Sequence, residues 1–181
     1  MLGKTYDTQV CSIARALEVV GERWTLLIVR DALFAGVTRF SDFQHNLGVA
    51  TNVLTSRLDS LVAAGMMERH RHSERGAPHE YRLTEKGRDL APALIALTAW
   101  GDRWASPDGP PILYRHAACS GAISQEIVCA ECGPVDAAQV TVQPGPGMPA
   151  EYLANRSHRP SAGRVHSKRV PQREAQDDYG Q

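Results

Sequence analysis

No run of about 18 consecutive apolar residues occurs in this chain, and its start carries no basic stretch leading into an apolar one. Neither a membrane-spanning helix nor a secretory signal is therefore expected. The chain also lacks a Gly-rich phosphate loop, a Gly-x-Ser-x-Gly elbow and a His-Glu-x2-His pair. Those motifs place phosphate cradles, nucleophiles and catalytic zinc ligands, so enzymatic activity is not expected. Cysteine is scarce: four among 181 residues, with Cys11 alone and the other three late in the chain. Such a distribution is no disulfide framework, and it suits a protein of the reducing cytoplasm.

An excess of one charge is missing too. Twenty Lys and Arg balance twenty Asp and Glu, an average that argues against a nucleic-acid partner. The placement is uneven, however. Between Leu153 and Arg173 stand six basic residues and no acid, whereas Met1–Ala105 holds thirteen basic against twelve acidic residues. A nearly neutral domain attracts DNA weakly, so base or shape readout must supply more of any specificity. What the chain does have is a hydrophobic share of 43%, enough for one packed domain and an appendage.

Apolar spacing predicts four helices in the first third. Cys11–Val20 carries Ile13, Ala14, Leu17 and Val20 on one stripe and ends at Gly21. Glu22–Phe34 offers Trp24, Leu27, Ile28 and Phe34 to a core, and Gly36 closes it. Phe40–Leu47 repeats Phe40, Phe43 and Leu47, with Gly48 making the turn. Thr51–Ala64 buries Leu54, Leu58 and Leu61 and is capped by Gly65. Its opposite face shows Asn52, Ser56, Asp59 and Ser60, flanked by Thr55 and Arg57. Met66–His72 and His79–Leu83 then read as strands joined by the loop 73–78. The expected fold is mostly α with a small β-hairpin (α+β): a winged helix-turn-helix with extra N- and C-terminal dimerisation helices and a small C-terminal extension.

Amides, hydroxyls and guanidinium groups are the side chains that hydrogen-bond base edges and phosphates in a major groove. The candidate DNA contacts are therefore Thr51, Asn52, Thr55, Ser56 and Arg57 on the recognition helix. Arg39 at the start of the third helix joins them, with Arg69, Arg71 and Arg75 in the wing. Arg57 has a second reading, an ion pair with a surface carboxylate. Arg75 is the best wing candidate, because Gly76 and Pro78 hold its loop in an exposed turn.

Beyond the wing, Thr84 suits an N-cap and Glu85 the positive end of the helix it opens. That helix is expected to reach Trp104 with Leu90, Leu94, Leu97, Trp100 and Trp104 along one face, and to bend at Pro92. A completed winged helix leaves such a face little to cover, so a homodimer interface is expected rather than core packing alone. Pro107–Pro111 marks a boundary. The domains are then 11–108, a small Cys/His-containing extension at 112–147, and a basic tail at 148–181 expected to be disordered. Its arginines have two readings, a DNA tether and a solvated end.

In order along the chain, these residues also resemble a known family. Cys11, Gly21-Glu22-Arg23-Trp24-Thr25, Arg39-Phe40, Leu54-Thr55-Ser56-Arg57-Leu58, Gly65 with Arg69, Tyr81-Arg82-Leu83-Thr84 with Gly87, and Trp100-Gly101 are similar to the HxlR-type winged-helix regulators, relatives of the MarR group. The resemblance implies a bacterial transcription factor that binds a palindromic operator as a homodimer, its terminal helices pairing the subunits. It also implies a signal, either redox state or a small molecule. Several such regulators sense oxidants through a cysteine at the position of Cys11. A small buried hydrophobe is the other reading of that residue. This chain departs from the family at Ala50, where Ser is usual, and at Asn52, where Lys is frequent. Losing a Ser cap costs about 1 kcal/mol unless Thr51 caps a helix that starts one residue later. The rival reading is a winged-helix protein-interaction module without specific DNA binding.

His116-x2-Cys119, nine residues, and Cys129-x2-Cys132-Gly133 complete the inventory. Two ligand pairs with two-residue spacers each close a turn around tetrahedral metal, so structural Zn²⁺ on His116, Cys119, Cys129 and Cys132 is expected. A reactive dithiol and free cysteines are the alternatives.

Overall fold

The computed structural model describes Tyr6, residues 9–70 and residues 79–156. The chain divides into two compact units, Met1–Gln125 and Glu126–Gln181. The first unit opens with α1 (Ser12–Val20), α2 (Thr25–Phe34), α3 (Phe40–Leu47) and α4 (Thr51–Ala63). A hairpin of β1 (Met67–His70) and β2 (Glu80–Leu83) follows, then α5 (Glu85–Arg88) and α6 (Ala91–Ala105). The winged helix-turn-helix is thus observed, with its helices and strands in the expected order.

One core holds it together. Ile28 and Val29 of α2, Phe43 of α3, Leu54, Leu58 and Leu61 of α4, and Met67 of β1 are all fully buried. Each such side chain contributes about 1.5–3 kcal/mol when removed from water, so the angle between α3 and α4 is set mainly by this packing. Gly48 ends α3 in the left-handed region, at φ +60°, which only glycine enters at no steric cost. β1 and β2 pair antiparallel from Met67↔Leu83 to His70↔Glu80. The segment before α3 adds to the outer side of β2, where Tyr81 N–H donates to the Thr38 carbonyl at 2.7 Å.

Several expectations need correction. α2 begins at Thr25 rather than Glu22, because residues 22–24 form a turn closed by Thr25 N–H onto the Glu22 carbonyl, 3.0 Å. Of the apolar stripe on α1, Ala14 and Val20 are buried, while Ile13 and Leu17 are exposed. Thr84 does cap a helix, its hydroxyl accepting from Gly87 N–H at 3.2 Å. That helix stops at Arg88, and Pro92 lies in the first turn of a new one, where its missing N–H costs nothing. The proline starts α6 instead of bending it.

The boundary at Pro107–Pro111 does not end the first unit. Tyr114 packs edge-on against Phe34, ring centroids 4.7 Å apart, and Gln125 donates to the Pro92 carbonyl. The second unit contains the hairpin β3 (Ile127–Cys129) and β4 (Gly133–Val135), a short 3₁₀ turn at Ala137–Gln139, and α7 (Ala150–Arg156). The stretch after Met148 was expected without structure; α7 occupies its start, with Tyr152 N–H donating to the Pro149 carbonyl at 3.0 Å. Arg71, His72 and Arg75, the loop 73–78, and the tail from residue 157 onward lie outside the described residues.

Candidate nucleic-acid interface

The ridge on α4 follows from its leucines. With Leu54, Leu58 and Leu61 turned fully inward, the opposite side of a helix is forced outward. Asn52, Thr55, Ser56, Asp59 and Ser60 are all exposed along one side of the helix. Two hydroxyls turn back onto the helix: Thr55 Oγ1 donates to the Thr51 carbonyl and Ser60 Oγ to the Ser56 carbonyl, each at 2.8 Å. Their lone pairs stay available as acceptors. Asn52 presents both an amide donor and a carbonyl acceptor, the pairing suited to adenine.

The start of α4 follows the first of the two sequence alternatives, the helix without a side-chain cap. Ala50 occupies the N-cap with extended backbone and no side-chain bond, and Thr51 is the first helical residue. Thr51 therefore does not cap. Its hydroxyl instead accepts from Gln44 Nε2 at 2.8 Å, tying α3 to α4 across the turn.

The arginines are placed less freely. Arg57 NH2 lies 2.8 Å from Glu22 Oε2, its side chain only 24% exposed. Arg69 pairs with Asp59 and lies over the Tyr81 ring, 5.3 Å from its centroid. That pairing neutralises a carboxylate that would otherwise repel a phosphate approaching the ridge. Arg39 precedes α3 in extended conformation and is exposed. Among the described candidates, then, Thr51, Asn52, Thr55 and Ser56 share one exposed helical surface, while Arg57 and Arg69 turn to carboxylates of the fold. Gln44, Glu22 and Asp59 had not been foreseen as the partners. Residues 7, 35 and 10 positions away leave no periodic trace in a sequence.

Cys11 sits at the N-cap of α1 with its thiol exposed. The backbone N–H groups of Ala14 and then Ile13 hold its pKa below the ordinary thiol value, as expected at a helix start.

The two Cys/His turns lie in different units and share one design. In the first, Arg115 and Ala122 form an antiparallel bridge, and His116 N–H donates to the Gly121 carbonyl at 2.9 Å. His116 Nδ1 is 3.1 Å from Cys119 Sγ. Ser120, directly after the cysteine, takes φ +58°, unusual for a residue with a Cβ. In the second, Cys129 pairs with Gly133 in register, and Gly133, directly after Cys132, has φ +82°. The backbone N–H groups of Glu131 and Cys132, and then the Cys132 thiol, lower the Cys129 pKa. Among the described residues, no group of three or more His, Cys, Asp or Glu side chains stands close enough to hold a metal ion.

A helix-turn-helix whose second helix exposes a polar ridge beside a two-stranded wing defines the winged-helix class of DNA-binding proteins. Comparison with known proteins narrows this. A family model described as HxlR-like helix-turn-helix matches residues 19–109, and the chain belongs to that family. The uncharacterised HTH-type transcriptional regulator Rv3095 of Mycobacterium tuberculosis is 48% identical over 146 residues, 80% of this chain and 92% of that protein. Among solved structures, the candidate transcription factor PA1607 matches with TM-score 0.69 at 36% identity, over 76% of this chain and 97% of its own. PA1374 of Pseudomonas aeruginosa, another candidate transcription factor, matches with TM-score 0.59 at 39% identity, over 80% and 99%. The protein is a transcriptional regulator with a helix-turn-helix DNA-binding fold. No helix among the described residues is long and apolar enough to cross a membrane.

Proposed function

We propose that this regulator acts as a homodimer on a palindromic operator, the α4 helices of two copies entering successive major grooves about 34–36 Å apart. The observation that carries the DNA reading is the exposed ridge of Asn52, Thr55 and Ser56 above three fully buried leucines. Thr51 and Arg39 stand at helix starts, where backbone N–H groups favour phosphate. Arg71 and Arg75 belong to the interface on the sequence argument alone. Dimerisation is supported by two exposed apolar faces, Leu97, Trp100 and Trp104 on α6 and Ile13 and Leu17 on α1. Tryptophans more than half exposed mark a surface that a partner covers. A signal that shifts the two α4 helices by a few Å mismatches the second half-site, and the exposed, activated Cys11 thiol is its receiver. Diamide or a quinone should lower operator affinity in the wild type and leave Cys11→Ser unchanged.

Selection of duplexes from a genomic fragment pool, followed by a salt titration, tests the central reading. Affinity should fall steeply as salt rises, because phosphate contacts release counterions. Affinity for a protein partner together with indifference to every duplex would favour the interaction-module alternative.

For His116, Cys119, Cys129 and Cys132 we infer structural Zn²⁺, on their donor types and spacing. Each turn taken alone supports it: a two-residue spacer, and a left-handed residue directly after the second ligand. Plasma emission on the purified chain should give about one equivalent of zinc; under half an equivalent overturns the inference.

A further inference from the structure

We propose that Arg57 is a positioning residue: its ion pair with Glu22 fastens the recognition helix to the α1–α2 turn, and it does not itself contact DNA. Successive helical residues turn by roughly 100°, which puts Arg57 about 60° from Leu54 and about 140° from Asn52. Its side chain thus leaves the helix on the flank between the buried leucines and Ser60, away from Asn52, Thr55 and Ser56. The burial agrees, for Arg57 is 24% exposed and its Nε is buried with no hydrogen-bond partner among the described residues. A guanidinium serving phosphate would reach outward with its stem uncovered.

What remains is orientation. The three leucines fix how deep α4 sits, yet apolar contacts alone resist rotation of a helix about its axis poorly. Polar ties at its flanks set that rotation. Gln44–Thr51 holds the start of α4 to α3, Asp59–Arg69 holds its middle to the wing, and Arg57–Glu22 holds the other flank. Glu22 lies in the turn directly after α1, the helix that begins at Cys11 and shows Ile13 and Leu17 to solvent. The pair is therefore the polar link through which a displacement of α1 reaches the recognition helix.

The inference rests on the DNA-binding reading, and four variants separate the two. Glu22→Gln, Arg57→Gln, their double, and the exchanged pair Glu22→Arg with Arg57→Glu are titrated against a labelled duplex selected from a random pool by the wild type. Each single change should weaken binding about two- to fivefold, the range of a partly exposed pair. The double variant should be no weaker than either single one, the exchanged pair should recover affinity, and the salt slope should not move. Loss confined to Arg57→Gln, with a slope shallower by about 0.9, is the mark of a phosphate contact and overturns the proposal. Unchanged affinity in all four overturns it as well. If the wild type selects no duplex, the DNA reading has failed on its own. The pair is then judged from urea midpoints, where additive single effects would refute it.

Discussion

Replacing Trp100 by alanine should weaken self-association about a hundredfold while leaving the fold of the single chain intact. Trp100 is 61% exposed, and a tryptophan side chain covers about 200 Å² when fully buried. A partner surface over the exposed part removes about 120 Å² from water on each copy, and twice that across a two-fold pair. At about 25 cal/mol per Å² the ceiling is about 6 kcal/mol. Association converts area at less than the full rate, because side chains are ordered and packing is imperfect. Half the ceiling, about 3 kcal/mol, is the hundredfold change. Trp100 is a cleaner choice than Trp104, whose ring already carries the Arg103 guanidinium at 4.9 Å. Sedimentation equilibrium over a range of concentrations reads the dissociation constant, and far-UV circular dichroism checks that helix content is kept. A Trp100→Ala chain that pairs as tightly as the wild type refutes the assignment of the α6 face to the dimer.

Two further outcomes follow from the ridge and the thiol. Asn52→Ala should cost about 1–3 kcal/mol of operator affinity, concentrated at one base pair, with no change in urea midpoint because the side chain is exposed; competition with single-base operator variants reads the position, and uniform loss across all of them contradicts base readout. Cys11 should react with iodoacetamide along a pH profile centred below that of a free cysteine at about 8.5. The sign follows from the N–H groups of Ala14 and Ile13, which favour the thiolate and so enlarge its fraction at neutral pH; a profile centred at or above the free value removes that cause.

Much of this architecture was legible because local rules and tertiary packing agree. The spacing of Phe40, Phe43 and Leu47 with Gly48 behind them returned α3 with both ends right, and the leucine stripe returned α4 and its exposed side. Periodicity marks an apolar face without saying what covers it. Ile13, Leu17, Leu97 and Trp100 carry a core-like signal in sequence and stand exposed on the single chain. Pro92 shows a similar ambiguity, since a proline bends a helix from the inside and starts one from its first turn. Arg57 illustrates the remaining limit. Its angle on the helix could be read from the leucine positions, but its partner Glu22 is brought near only by tertiary packing, α2 against α3 and α3 against α4. The second unit resisted reading for another reason: few of its side chains are buried, so it leaves little apolar pattern.

Dimethyl sulfate footprinting on a selected operator probes guanine N7 in the major groove and tests the central claim most directly. Two protected clusters centred about 10–10.5 base pairs apart on a saturated complex, both lost in an Asn52→Ala, Ser56→Ala chain that still folds, are the predicted result. A saturated complex whose major-groove guanines all stay reactive would contradict the account.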